Sequence, residues 1–391
     1  MLHRSLIAIA AMLLPAMPMA AAEPVDTAAV DTSAVKTTHK HGFMTRFLDY
    51  FNDANKEKKN KRFDFSIIGG PHYSTDTKLG LGLVAAGLYR SEPHRLALGI
   101  PATCRSSATS RPWASTCSAY VARTSSPATP IALTIRSTSI PYPCYIWGLG
   151  YDMGDNDDNK SKMKRWQAQA KVSWLIRTAD NLFVGPTVAF DYVWGHDMDR
   201  PELIEGQRRV SFNSGAGLTL LYDTRDNLTA PHEGVFLQVQ QLFRPKFMGN
   251  KCAFSTTDLR MDAYLPMWKG ATLAGDLRTQ FNFGNPQWSM LALLGDSYSM
   301  RGYYQGRYRD KHKVEAQIEL RQHVWRRNGI VLWAGAGTVF PKFSQIKMNH
   351  ILPNYGIGYR WEFKKNVNVR LDYGLGKSGQ SGFIFNINEA F

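Results

Sequence analysis

Residues 314–324 read VEAQIELRQHV. Val314, Ala316, Ile318, Leu320 and Val324 fall on one side of a period-two alternation, with Gln322 the one polar exception. Glu315, Gln317, Glu319, Arg321 and His323 fall on the other. Successive side chains of a strand point to opposite faces of its sheet, so this stretch is a strand with an apolar face and a charged one. An apolar face opposed to so charged a face fits lipid outside and a wet lumen inside.

The same split recurs at 166–174 (WQAQAKVSW), 355–363 (YGIGYRWEF) and 367–375 (VNVRLDYGL). A soluble sandwich would alternate too, but with its polar face outward and with more even connections. Here short connections (326–328, 364–366) contrast with long ones (195–207, 296–308, 341–350), as in outer-membrane barrels. Counting back from Phe391 places strands near 383–391, 366–376, 353–363, 329–339 and 312–325. After the loop at 296–311 come 270–284, 254–268, 233–244, 209–222, 181–194 and 163–176, and forward from residue 62 come 62–69 and 77–90. An even total, with the length of 91–152, asks for three more. The expected fold is all-β, a transmembrane antiparallel β-barrel of sixteen strands over 62–391. Its last strand would carry Phe383, Phe385, Ile387 and Phe391 on one face.

Composition excludes the other classes. Mean hydropathy of −0.31 rules out a helical membrane bundle, and 20 Phe, 17 Tyr and 10 Trp are too much apolar surface for a disordered chain. Residues 1–22 read as a signal peptide: a basic start at His3 and Arg4, a short apolar run to Met19, and the small residues Ala20–Ala22 before Glu23. Residues 23–61 form a polar periplasmic linker in which 42–51 (GFMTRFLDYF) is an amphipathic helix candidate. The charge run KEKKNKR at 56–62 reads as a solvated linker or a contact with anionic head groups. Export excludes nucleic acid as a partner, so the net charge of +15 points to outer-membrane lipids and lipopolysaccharide.

Residues 91–143 break the pattern. They hold 17 Ser or Thr and 7 of the 19 prolines, but one of 32 glycines and no Phe. Proline removes ladder hydrogen bonds from strand interiors. The stretch is either an inserted surface loop or a translation in the wrong frame restored near Tyr145; its abrupt edges favour the second, which would damage three strands.

Two local motifs carry more. LYDTRDN at 221–227, followed by Pro231 and Gly234, reads as a tight turn between strands, with Asp and Asn capping it. SMRGYY at 299–304 lies in the longest outer loop, where an Arg-Gly-aromatic tip can carry a guanidinium to a carboxylate. Together they resemble the bacterial surface antigen family, the barrel domain of BamA/TamA-type assembly and secretion proteins. The resemblance runs from Phe63 to Phe391 without 91–143, and the closing aromatic Phe391 is similar to the signal that outer-membrane assembly machinery reads on its clients. It implies that the sixth outer loop folds into the lumen, with Arg301, Gly302 and Tyr303 as its tip and Glu319 as acidic partner, and that Asp223, Arg225 and Asp226 form the family's turn. The family usually has aromatic-x-Asp-x-Gly on the following strand. This chain has Trp333, Gly335 and Gly337 there, which leaves the clasp to Glu319 alone. Residues 23–61 are too short for a periplasmic POTRA repeat, which implies a separate periplasmic partner.

No enzyme motif is found. There is no G-x-S-x-G elbow and no H-E-x-x-H pair. Gly376-Lys377-Ser378 lacks the first glycine of a phosphate loop. Asp152, Asp155, Asp157 and Asp158 miss the calcium-loop spacing at Lys160. No metal and no cofactor is expected. The resemblance implies a role in outer-membrane protein or lipid assembly or translocation, by lateral opening of a seam between 62–69 and 383–391. The alternatives are a passive or loop-gated pore lined by Glu315, Glu319, Arg321, Arg360, Arg370 and Asp372, and, behind it, a lipid-acting enzyme.

Overall fold

The computed structural model describes residues 63–74, 78–92, 95–96, 100–106, 115–121 and 131–391, with side chains from Cys144 onward apart from Lys364. The expected signal peptide, the 23–61 segment with its helix, and the charge run lie outside the described residues. The main sheet is antiparallel and has 17 strands, one of them the two-residue Arg95–Leu96. Its long strands are β1 (Phe63–Ser74), β2 (Lys78–Glu92), β3 (Ile100–Ser106), β4 (Ser115–Val121), β5 (Ile131–Ile146), β6 (Ser161–Ala179), β7 (Leu182–His196) and β8 (Val210–Asp223). The ring continues through β9 (Gly234–Arg244), β10 (Phe254–Pro266), β11 (Ala271–Gly284), β12 (His312–Trp325), β13 (Asn328–Phe340), β14 (Leu352–Lys364), β15 (Val367–Gly376) and β16 (Ser381–Ile387). Each pairs with its neighbours in sequence, and the sheet closes where β1 meets β16.

Among the described residues β1 pairs with β2 from Phe63 to Ser74 and with β16 through Tyr73↔Phe385 and Ser74↔Ile384. The contact therefore lies at the end of β1, away from the expected 62–69. Within 91–143 the chain adds β3, β4 and most of β5 to the ring.

Burial is inverted relative to a soluble protein. Along β12 Glu315, Gln317, Glu319 and Arg321 are buried, while Ile318 is 60% exposed. On β13 and β14 Leu332 and Ile357 are exposed as well, and they stand side by side with Leu320 of β12. Polar groups bury inside only where they find partners, and the lumen supplies them; the apolar rows face outward. Among the described residues four of the five connections at one end (180–181, 267–270, 326–327 and 365–366) have at most four residues, the fifth being 224–233. The other end has 147–160, 197–209, 245–253, 285–311, 341–351 and the short 377–380.

The final strand is shorter than expected. It ends at Ile387, where Asn388 turns left-handed (φ 70°) and its N–H donates to the Asn368 carbonyl. Phe383, Phe385 and Ile387 share the outward face, but Phe391 is buried inside the ring.

An outward Leu332→Arg should cost about 2–4 kcal/mol in a bilayer. Refolding yield into lipid vesicles, read by the heat-modifiable gel shift, checks this; an unchanged yield would mean that this face does not meet lipid.

Candidate functional site in the lumen

The connection 285–311 leaves the ring between β11 and β12 and is necked by the pairing of Ala292–Leu293 with Arg309–Asp310. Beyond the neck Asp296 caps a tight turn, its carboxylate accepting from the Tyr298 and Ser299 N–H groups at 2.6 and 2.7 Å. Met300 (φ 47°) and Gly302 (φ 113°) then reverse the chain and drive Arg301 into the lumen.

Arg301 is fully buried. Its Nη2 donates to Glu319 Oε2 at 2.6 Å and, more weakly, to Gln317 Oε1 at 3.4 Å, while Nη1 donates to Asp372 Oδ2 at 2.7 Å. The guanidinium lies 3.7 Å from the centre of the Trp333 ring, a cation–π contact. Asn354 holds the tip from behind, donating to the Arg301 and Leu375 carbonyls and accepting from Trp333 Nε1. The expectation of a clasp on Glu319 alone is therefore corrected. The second carboxylate comes from β15, and at 335 a Cβ would meet the Ala316 carbonyl at 2.6 Å and Gln317 Cβ at 2.8 Å, so an aspartate there does not fit beside Gln317.

Asp372 lies in an inward row that runs from Arg370 to Gly374 and Gly376. A Cβ on Gly374 would lie 2.0 Å from the Arg301 carbonyl oxygen, and one on Gly376 would lie 2.5 Å from the Tyr303 ring. These two glycines clear the strand for the tip. Tyr303 lies over them, donating to the Pro353 carbonyl at 2.6 Å and accepting from Lys377 N–H at 2.7 Å. Sequence reasoning named Arg301, Gly302, Tyr303 and Glu319 and placed Asp372 in the lumen lining, but missed Asp372 and Trp333 as partners of Arg301, and missed Gly374, Gly376 and Asn354. The signal was present in the D-x-G-x-G spacing of 372–376.

The clasp continues toward the short-turn end. Arg360 donates to Asp372 Oδ1 at 2.6 Å and to Glu389 Oε2 at 2.7 Å; Arg321 donates to Glu319 Oε1 at 2.7 Å and to the Phe391 carbonyl at 3.0 Å. Phe391 packs with Tyr264, Ala274 and Ala390, under the Arg321 guanidinium. The residue expected to close an outward row is thus an inner plug, because the left-handed turn at Asn388 redirects the chain.

The motif at 223–226 lies in the β8–β9 connection. Arg225 is held bidentately by Asp223 at 3.0 and 2.9 Å and stacks on Phe236, and Asp226 accepts from the His232 and Glu233 N–H groups. The fixed turn reaches the far wall: the Thr229 hydroxyl donates to the Asn366 carbonyl at 2.5 Å, and the Thr229 carbonyl accepts from Glu389 N–H at 3.3 Å.

At the opposite end three of the four acidic loop residues find partners. Asp155 accepts from Lys377 at 2.8 and 2.9 Å and from Tyr308 at 3.1 Å, Asp157 pairs with Arg307 at 2.9 Å, and Asp152 faces His350 at 3.6 Å. Burial alone would raise the Asp155 carboxyl, but the Lys377 and Tyr308 hydrogen bonds outweigh it and hold it below its usual range. These acids strap loops together. The described residues show no cluster suited to a metal.

Residues 124–391 match the Omp85 superfamily domain. No curated protein sequence matches the chain. Among solved structures the chain is similar to BamA from Haemophilus ducreyi lacking POTRA domains 1–3, at TM-score 0.54 and 12% identity, covering 84% of this chain and 71% of that one. It is also similar to CdiB from Acinetobacter baumannii, at TM-score 0.51 and 12% identity, covering 84% of this chain and 60% of that one.

Removing one partner of a buried ion pair costs about 3–5 kcal/mol, so Asp372→Ala, which strands Arg301 and Arg360, should lower the temperature of the heat-modifiable transition as much as Glu319→Ala does. An unshifted transition in Asp372→Ala would leave Glu319 as the sole anchor. The Asp155–Lys377 strap has a depressed carboxyl. Its contribution is present above the unfolded carboxylate value near pH 4 and is lost as pH falls through the folded value. Limited proteolysis of the outer loops should therefore accelerate only in acid, and Lys377→Ala should show the acid rate at neutral pH.

Proposed function

Because the chain belongs to the Omp85 superfamily, whose members are non-enzymatic transport and assembly barrels of the outer membrane, we propose that it is an outer-membrane barrel of sixteen strands acting in the assembly or translocation of outer-membrane proteins or lipids. In this reading the short turns face the periplasm, the long loops face outward, and residues 1–22 direct export. Outer-membrane lipids and lipopolysaccharide surround the wall, the outer-membrane assembly machinery inserts the chain, and a separate periplasmic partner delivers its clients.

One observation carries the reading: a loop arginine with no solvent exposure, clasped by carboxylates of two different strands. A passive pore gains nothing from burying a charge at the centre of its conduit, where each unmet partner is costly. A barrel that must stay sealed while its wall opens has a use for it. The β1–β16 contact is the place for that opening, since each ladder hydrogen bond is worth only about 0.5–1.5 kcal/mol net and two residue pairs join these strands among the described residues.

Planar-bilayer conductance of the refolded chain beside Arg301→Ala tests this. A quiet parent and a leaky variant are expected. Steady large conductance in both would make it an open pore and end the assembly reading. Depletion of the protein in cells should change the outer-membrane content of other proteins or lipids.

A further inference from the structure

Among the described residues of the short-turn end the charges are sorted by position. The β8–β9 turn carries Asp226 and Glu233, its Arg225 is neutralised by Asp223, and Arg177 beside the β6–β7 turn is paired with Asp180. From β10 to β15 the three turns carry Lys269, Arg326, Arg327 and Lys365 and no carboxylate, and Lys269, Arg326 and Lys365 are exposed. These turns are joined into one arc. Trp268 Nε1 donates to Gln322 at 2.8 Å, His323 N–H to the Gly270 carbonyl at 2.7 Å, and Glu362 N–H to the Arg327 carbonyl at 2.7 Å. Trp268 and Trp325 stand exposed between the basic groups, and the Arg326 guanidinium lies 4.6 Å from the Trp325 ring centre.

Arg326 also holds an unfavourable backbone. It opens the two-residue β12–β13 turn with φ 51°, a conformation that Asn or Gly adopts at less cost. Among the described residues no carboxylate pairs with it. A strained basic residue with no internal charge partner points to a partner outside the chain. Tryptophan rings settle at the boundary between hydrocarbon and head groups, and Lys or Arg beside a membrane surface is drawn to anionic lipid.

We infer that the arc from Lys269 to Lys365 binds the phosphate head groups of anionic phospholipid in the leaflet on the short-turn side, a reading that rests on the membrane-spanning barrel proposed above. The tryptophans fix the depth of this rim and the exposed side chains of Lys269, Arg326 and Lys365 take the phosphates, whereas among the described residues the β8–β9 turn carries acids instead. Lipid is favoured over an acidic protein because exposed indoles alternate with the charges.

The test refolds the full chain into bilayers of phosphatidylcholine, with or without phosphatidylglycerol, and reads the midpoint of the heat-modifiable transition. Phosphatidylglycerol should raise the parent's midpoint by several degrees, and high salt should erase the gain. Arg326→Gly should raise the midpoint in phosphatidylcholine, by releasing the strained turn, and yet shrink the gain from phosphatidylglycerol. Combined with Lys269→Gln and Lys365→Gln it should lose that gain altogether. A purely structural role for Arg326 could not move the two readings in opposite directions. An equal gain in parent and triple variant overturns the inference and leaves the barrel reading standing, with the arc open to an acidic protein. No heat-modifiable band in either lipid overturns both.

Discussion

A guanidinium with no access to water must be met by fixed charge and hydrogen bonds, and the lumen is organised around meeting one. Arg301 takes Glu319 from β12 and Asp372 from β15, the Trp333 ring as a floor, and a turn braced by Asn354. Gly374 and Gly376 are bare because the loop backbone and Tyr303 occupy the space that side chains there would need. The site is therefore several strands committed to one loop conformation.

The commitment extends from one end of the lumen toward the other. Arg360 and Arg321 hold the carboxylates from their far sides and reach on to Glu389 and the Phe391 carbonyl. The β8–β9 turn, half a ring away from β16, meets the same tail through Thr229. The end of the last strand is thus tied to the loop clasp by a chain of charge-assisted hydrogen bonds, the stronger kind, while its pairing with β1 is brief. What holds β16 at that end is the interior of the barrel more than its seam.

Much of the candidate site was legible through the motifs that resemble a known family, and the misses share a cause. Arg301, Gly302, Tyr303 and Glu319 lie in short, distinctive contexts. Asp372 lies 71 residues beyond Arg301 and in sequence is one acidic residue of an alternating strand; only the curvature of the ring brings β15 opposite β12. The resemblance pointed to 335 for a second carboxylate, because strand identity does not say which wall of a closed sheet a loop will lean on. Phe391 was misplaced because a strand was extrapolated through Asn388, a residue type that tolerates the left-handed turn ending it.

Alternation by itself determined the class of this protein. Period-two rows with charge on one face and aliphatic or aromatic groups on the other have one economical solution, a closed antiparallel sheet with lipid outside, because strand geometry assigns faces locally. The tertiary structure alone decided which inward charges meet, that the loop arginine is shared by two strands, that the tail turns in to join them, and that the basic turns form one arc. Those are relations between residues far apart in sequence, and closure of the ring, through its order and register, is what makes them neighbours.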